Sequence, residues 1–271
     1  MATDTPADAP HLSDADLGKV MALIKDADSV ELKVTIPASE HRSTIQGLPM
    51  DPVEAQPRQI FFFETPDLAL SQAGVVVRAR RIQGGRGDTV VKLRPVVPAE
   101  LPAELRQSPS FNVEVDVLPG GYVCSASFKG RSTGQAVHDA VSGTVPLRKI
   151  FSKEQRAFYG QHAPTGIDLD SLVTLGPTFV LKAKFQAEMA FQTQPAERLM
   201  VTELWLYPDG SRILELSTRC RPAEAFQVAG EVRAYLIGRG VKIGGAQQTK
   251  TRAALEFFRA QLQASGAEAG G

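Results

Sequence analysis

Residues 29–36 read Ser-Val-Glu-Leu-Lys-Val-Thr-Ile, and this stretch decides the fold class of the chain. Apolar side chains stand at every second position and alternate with polar or charged ones. Because successive side chains of a strand point to opposite faces, this order predicts a β-strand with one apolar and one ionic face. Glu31 and Lys33 share the ionic face.

The same alternation recurs along the rest of the chain. It predicts strands over 75–82, 89–95, 111–117, 181–185, 186–193, 199–207 and 211–218. Charged side chains stand two positions apart in four of these strands, as Arg78 and Arg80, Lys92 and Arg94, Glu114 and Asp116, and Lys182 and Lys184. Side chains at i and i+2 lie on one face, about 7 Å apart along the strand. The charges are therefore expected to gather on single faces.

Helical periodicity and turn residues divide the strands. Helices are predicted over 14–26, 135–141, 152–159, 223–239 and 249–263. Ser152 with Gln155 three positions later fits a capping box, and residues 95–109 are predicted to form a Pro-rich loop. The run Gly84-Gly85-Arg86-Gly87 is typical of a hairpin turn, because no Lys-Ser or Lys-Thr follows it to complete a phosphate loop. Many antiparallel strands with a helical interlude and a helical end predict an α+β fold.

The composition narrows the functional class. The 271 residues carry 30 Lys and Arg against 30 Asp and Glu, and this zero net charge argues against a general nucleic-acid-binding protein. No apolar stretch approaches the length of a membrane span, and the N-terminus lacks the pattern of a signal peptide. Cys124 and Cys220 stand far apart without a CxxC motif, which excludes a cysteine zinc site and indicates a reducing compartment. We expect a cytoplasmic protein with no nucleic-acid or membrane partner.

The ionic strand faces allow two interpretations. If the strands close into a barrel, the charges line its interior, which must then hold water, ions and a ligand because burying unpaired ions costs several kcal/mol each. Arg and Lys bind phosphate oxygens, and carboxylates such as Glu31, Glu203 and Glu215 bind divalent cations. Such a barrel would be a site for a metal-bound polyphosphate. In the alternative, the ionic faces are exposed to solvent, and the pattern leaves both open.

Several short motifs follow one another along the chain. They are Ser29-Val30-Glu31-Leu32-Lys33, 62–70, 77–80, 91–95, 182–184, 202–204, 214–217 and 249–253. In this order and spacing they resemble the CYTH domain, the family of triphosphate tunnel metalloenzymes, over residues 29–258. The resemblance implies a closed antiparallel eight-stranded β-barrel, or tunnel, with flanking helices and a helical insertion at about 130–165. It implies one barrel domain at 29–260, after an acidic leader and short helix at 1–28 and before a frayed tail at 261–271.

The resemblance also assigns roles to charged residues. Those implied to act in catalysis are Glu31, Lys33 and Lys250. Those implied to hold phosphate oxygens are Arg78, Arg80, Lys92, Arg94, Lys182 and Lys184. Those implied to bind Mg²⁺ or Mn²⁺ are Glu31, Glu203, Glu215 and Glu114. The implied partner is a triphosphate-containing small molecule, and the implied assembly is a homodimer.

Three positions depart from the family pattern. Ser29 and Ser217 stand where the family has carboxylates, and Lys184 stands where it has Arg. The serines remove anionic oxygens from a metal site, although water and phosphate can complete the shell of Mg²⁺. Trp205 is expected in the core or barrel wall rather than against a nucleobase. Three functions stay open: a metal-dependent triphosphatase acting on inorganic, nucleoside or thiamine triphosphate, an adenylate cyclase of the same fold, and a polyphosphate- or nucleotide-binding module without turnover.

Overall fold

A computed structural model describes residues 13–189, 196–243 and 250–268. Within these residues, nine strands close into one barrel with the neighbour order β1-β5-β6-β4-β3-β2-β7-β8-β9. The strands are β1 Ser29–Ile36, β2 Gln56–Glu64, β3 Val75–Ile82, β4 Arg86–Leu93, β5 Phe111–Leu118, β6 Gly121–Thr133, β7 Val173–Met189, β8 Ala196–Leu206 and β9 Arg212–Cys220. The predicted hairpin turn after residue 82 is confirmed by the pairing of Ile82 with Arg86.

The prediction of eight antiparallel strands is wrong in two linked details. The described barrel has nine strands, and β1 runs parallel to β5, with Ser29 opposite Glu114 and Leu32 opposite Val117. A closed ring with an odd number of strands cannot be antiparallel at every step, so the ninth strand requires the parallel pair. β1 pairs with β5 over only four residues, from Ser29 to Leu32, and the two strands diverge beyond this point.

Seven helices accompany the described strands. They are α1 Asp14–Lys25, α2 His41–Gly47, α3 Ala69–Gln72, α4 Gly134–Val141, α5 Lys153–His162, α6 Ala225–Gly238 and α7 Lys250–Glu268. The helical insertion predicted at about 130–165 corresponds to α4 and α5. The tail predicted for 261–271 is helical as far as Glu268, since α7 continues beyond 260. Residues 1–12 of the predicted leader and the end of the strand predicted over 186–193 lie outside the described residues, as does Thr249. No described helix is long and apolar enough to cross a bilayer.

One buried glutamine helps to fix the helical insertion to the barrel, in addition to apolar contacts such as that of Phe158 with Phe128. Ser152 and Gln155 form the predicted capping box at the start of α5. The Gln155 side chain is fully buried, and its amide donates to the backbone oxygens of Thr89 (3.1 Å) and Phe128 (3.2 Å). Its oxygen accepts from Thr89 Oγ1 at 3.0 Å. Since Gly130 lies so close that a Cβ would stand 2.5 Å from Gln155 Oε1, this contact requires glycine.

Part of the barrel interior is an apolar plug. Each of its strand residues stands an even number of positions from a charged residue that lines the lumen. Because side chains of a strand alternate between its two faces, the plug residues face the lumen as well. They are Ile60, Phe62, Val180, Trp205 and Ile213, and Ala254, Leu255 and Phe258 of α7 pack against them. A separate and larger cluster joins the outward strand faces to the other helices. The plug confines the charged part of the lumen to the remaining length of the barrel.

Candidate active site

A charged cavity of about 560 Å³ occupies the barrel lumen. Its described lining contains eleven cationic side chains: Lys33, Arg58, Arg78, Arg80, Lys92, Arg94, Lys129, Lys182, Arg219, Lys250 and Arg252. Four lining side chains are anionic: Glu31, Asp116, Glu203 and Glu215. Asp88, Glu114 and Glu256 outside the lining pair with Arg80, Arg219 and Arg252, which leaves an excess of four positive charges, eleven against seven, without a described counter-charge. The cavity is therefore suited to a multiply charged anion.

Five of the six predicted phosphate-binding residues line this cavity, and Lys184 does not. Lys184 shares a strand face with Lys182 but is exposed. The pairing of β7 with β2 ends where Lys182 lies opposite Gln56, whereas β7 continues to Met189 paired with β8 alone. Beyond Lys182 the β7–β8 hairpin therefore extends past the closed barrel wall. The structure thus does not place Lys184 in the cluster.

Arg78 and Lys92 are half-buried cations that make no ion pair with a described residue. They lie on neighbouring strands of the barrel. Burial, together with the nearby charge of Arg80, lowers the pKa of the Arg78 guanidinium to about 10. Burial and the charge of Arg94 lower the pKa of the Lys92 ammonium to about 7. An anion bound between these two side chains would supply the negative charge that no described residue provides for them.

Two other lumen arginines already have carboxylate partners. The Arg80 guanidinium donates to both oxygens of Asp88, at 2.8 Å from Nε and 2.7 Å from Nη2. Arg94 pairs with Asp116, which is almost fully buried. Bidentate pairs hold guanidinium groups in one orientation, so Arg80 has only part of its donors free for a ligand.

One lysine of α7 crosslinks the acidic side of the lumen. Lys250 Nζ lies 2.6 Å from Glu203 and 2.6 Å from Glu215, and Lys182 lies 3.1 Å from Glu203. The indole of Trp205 donates to Glu203 at 3.2 Å, and Lys250 Nζ stands 5.0 Å from its ring centroid. Burial opposes ionisation of Glu203, but the charges of Lys250 and Lys182 outweigh it and hold the pKa of that carboxyl well below its usual value. The carboxylate is therefore fully ionised at neutral pH.

A second group of carboxylates surrounds the start of β1. Oxygens of Glu31, Glu114 and Asp116 all lie within 4.8 Å of one another. Lys33 Nζ lies 3.0 Å from both Glu31 and Asp116. Burial opposes ionisation of Glu31, but Lys33 outweighs it and lowers the pKa of that carboxyl. Ser217, which replaces a family carboxylate, donates to Glu31 at 3.2 Å.

The four predicted metal ligands are therefore split between two places. Glu31 and Glu114 lie in the first acidic group with Asp116, whereas Glu203 and Glu215 form a pair held by Lys250. Ser29, the other replaced carboxylate, donates to Glu114 at 3.4 Å. Hard carboxylate oxygens of this kind suit Mg²⁺ or Mn²⁺.

Comparisons with known proteins find similarity in structure alone. No protein-family model matches the chain, and no curated protein matches it in sequence. HpAC1 from Hippeastrum, a proposed adenylyl cyclase described as having a dominant triphosphatase activity, aligns with a TM-score of 0.58 at 14% identity, over 83% of this chain and 94% of that chain. A proposed adenylate cyclase from Bacillus halodurans aligns with a TM-score of 0.55 at 12% identity, over 83% and 97%. The chain has the CYTH-type barrel fold.

The lumen of this CYTH-type barrel contains charged residues that sequence reasoning missed. Arg219 stands two positions after Ser217, so the period of two could have found it, whereas Arg58 lies in β2, where no alternation marks the strand. Lys129 lies in β6, a strand that was not predicted. Asp88 lies directly opposite Arg80 across the β3–β4 hairpin, which the predicted turn could have indicated.

Proposed function

We propose that this protein is a divalent-metal-dependent triphosphatase whose substrate lies in the barrel lumen. One observation carries the proposal: eleven cationic side chains against four anionic ones line the cavity in the barrel, and four of the cations, Arg58, Arg78, Lys92 and Lys129, make no ion pair with a described residue. A triphosphate chain carries several negative charges along a narrow rod, which matches a tunnel with cations on all sides.

Arg78 and Lys92 are the primary phosphate-binding residues of the proposal. Their free donors bind oxygens of the phosphate chain, and Lys182 on β7 and Arg94, which directly follows β4, bind it as well. Arg80, oriented by Asp88, contributes its remaining donors. Because these groups are fixed by the barrel before the substrate binds, they stabilise the charge of the transferring phosphoryl group without reorganisation.

Lys33 and Lys250 act as charged hydrogen-bond donors and not as bases. Burial works against their charged forms, but adjacent carboxylates outweigh it and raise the pKa of both ammonium groups. Both lysines therefore keep their protons at neutral pH. In hydrolysis, water attacks the terminal phosphorus, the bond to the bridging oxygen breaks, and orthophosphate and diphosphate leave with the two protons of that water between them.

The carboxylates present fit a divalent metal ion. Glu31, Glu114 and Asp116 offer converging oxygen donors, which Mg²⁺ and Mn²⁺ prefer. A metal bound there would draw charge from phosphoryl oxygens. The task of this chain is to hold the carboxylates close together, and the Lys33 ammonium that now lies between Glu31 and Asp116 would move to the phosphate chain.

A second function, polyphosphate binding without turnover, is favoured by the two serines. Ser29 and Ser217 each donate a hydroxyl to a carboxylate of the acidic group. A donated hydrogen bond occupies a lone pair that a metal would need, and each serine also removes an anionic ligand. These changes weaken a metal site more than they weaken the group of cationic side chains that would bind phosphate.

Phosphorus NMR with Mg²⁺ or Mn²⁺ distinguishes these functions. The protein is offered inorganic triphosphate and ATP in parallel. We expect orthophosphate from at least one of them, lost in Arg78→Ala and Glu31→Gln and retained in Lys184→Ala, whose side chain lies outside the cavity. Pyrophosphate with a cyclic product from ATP would instead indicate a cyclase. No turnover, with line broadening of the ligand that Arg78→Ala removes, would reject the triphosphatase and support the binding module.

A further inference from the structure

A second cavity lies beside the tunnel, at the seam where β1 and β5 diverge. The ladder between these strands ends at Leu32 opposite Val117, whereas β1 continues to Ile36 paired with β9. Three consecutive residues of each chain segment, 32–34 and 117–119, line a cavity of about 210 Å³. We call it the seam cavity.

The seam cavity is apolar and is covered by one face of α6. Ala229, Val232, Arg233 and Leu236 line it at the helical spacing i, i+3, i+4 and i+7. The remaining lining is mostly aliphatic, with Met200, Leu216 and Ile243. Val232 and Leu236 are buried, while Ala229 and Arg233 are exposed at the rim. Since an apolar cavity of roughly 150 Å³ is enough to hold benzene, the seam cavity has room for a flat ring.

Two residues connect the seam cavity to the tunnel. Lys33 and Leu118 line both cavities. The Lys33 ammonium lies on the tunnel side, 3.0 Å from Glu31 and from Asp116. Ser217 lines the seam cavity and donates to Glu31, which lines the tunnel. A molecule with an anionic chain and an apolar end could therefore occupy both cavities at once.

The tunnel itself offers no free aromatic surface among the residues described. Its single aromatic lining residue is Trp205, which is 2% exposed. The Trp205 indole nitrogen already donates to Glu203, and Lys250 occupies one ring face. An organic group attached to the phosphate chain would contact mainly charged side chains and their hydrogen-bond partners there.

We propose that the seam cavity binds the ring of a triphosphate ester whose phosphate chain lies in the tunnel. This inference rests on the proposed triphosphatase function and narrows its substrate to an organic triphosphate with a flat, largely apolar ring. Arg233, which makes no ion pair with a described residue, can stack on the ring face.

The test blocks the seam cavity without touching the tunnel. Ala229→Phe places a ring at the rim from an exposed helix position, and Ala223→Phe places the same ring on an exposed residue outside the lining. ATP, GTP, thiamine triphosphate and inorganic triphosphate are compared by kcat/KM. We expect at least one ester to exceed inorganic triphosphate by about tenfold or more, the scale of a ring contact. Ala229→Phe should remove that advantage through KM, leave inorganic triphosphate unchanged, and differ from Ala223→Phe, which should behave as the parent protein.

Two results would overturn the inference while leaving the triphosphatase intact. One is a parent protein that hydrolyses inorganic triphosphate at least as well as all three esters. The other is an equal effect of Ala229→Phe on ester and inorganic substrate. If no triphosphate is hydrolysed, titration calorimetry compares the binding of ATP and inorganic triphosphate. Tighter binding of ATP, lost in Ala229→Phe, would support ring binding in the seam cavity although the triphosphatase is rejected. Equal binding of the two ligands would reject ring binding and the triphosphatase together.

Discussion

Replacing Lys92 by methionine should stabilise the protein while it destroys the proposed binding site. Burial and the charge of Arg94 lower the pKa of Lys92 from 10.5 to about 7. This difference corresponds to about 5 kcal/mol against the charged form in the folded state. Methionine keeps the unbranched shape and removes the charge, so the cost of burying an unpartnered ammonium disappears.

The gain should depend on pH in a defined direction. Below pH 7 the Lys92 ammonium is protonated in the folded and the unfolded state, and the whole cost is present. Between pH 7 and 10.5 the unfolded chain binds the proton and the folded protein does not, so the cost falls as the pH rises. We expect Lys92→Met to raise the free energy of unfolding by up to about 5 kcal/mol at pH 6 and by about 2 kcal/mol at pH 9.

Urea denaturation at the two pH values measures both gains. Lys153→Met is the matched control, because Lys153 is exposed on α5, and its effect should stay within about 0.5 kcal/mol. The reasoning is refuted if Lys92→Met destabilises the protein, or if its gain is the same at pH 6 and pH 9. Triphosphate binding should be lost in the same variant, since Lys92 is one of the lining cations that make no ion pair with a described residue.

Three further predictions concern the insertion and the metal site. Gln155→Leu should lower the free energy of unfolding by about 2–4 kcal/mol, because it leaves the buried carbonyls of Thr89 and Phe128 unpaired, and a loss under about 0.5 kcal/mol in urea denaturation would contradict this. The double variant Ser29→Glu with Ser217→Glu should lower the Mg²⁺ concentration needed for half-maximal turnover by about tenfold, measured by orthophosphate release; an unchanged requirement would show that the natural carboxylates are sufficient. Mg²⁺ titrated alone should bind far more weakly than Mg²⁺ titrated with inorganic triphosphate present, and calorimetry giving equal affinities would disprove the coupling of metal to substrate.

The period of two predicted most of the barrel because one face of each strand is ionic and the other apolar. It missed β2 and β6 for opposite reasons. In β2, Phe61 and Phe63 pack in the outer core while Phe62 joins the inner plug, so both faces are apolar and no alternation is visible. In β6 the inward positions 123, 125, 127 and 129 are Val, Ser, Ser and Lys, so two small buried serines interrupt any run of charged residues on that face. A strand is visible in sequence only where its two environments differ.

The site residues were predictable where strand alternation alone determines them. Alternation put Arg78 and Lys92 on the inward faces, and both line the cavity. Lys184 was expected there as well, but it lies beyond the point where β7 loses its neighbour β2, and that point depends on register between distant segments. The ion pair of Lys250 with Glu203 joins residues 47 positions apart in sequence. The pattern of the strand or helix that carries each residue does not predict this contact.

The internal pairing of the lumen explains why metal and substrate should bind together. Each lining carboxylate already has a cationic partner: Glu31 has Lys33, and both Glu203 and Glu215 have Lys250. A divalent ion arriving alone would displace an ammonium group and add to the positive excess of the cavity, which Coulomb repulsion in a partly dry barrel opposes. A triphosphate arriving with the metal supplies anionic oxygens to the displaced lysines, so every charge keeps a partner. If the proposed function holds, lysines that hold the carboxylates in the free protein would become phosphate ligands in the complex, and fewer metal-binding carboxylates would be needed than in a site that binds its metal first.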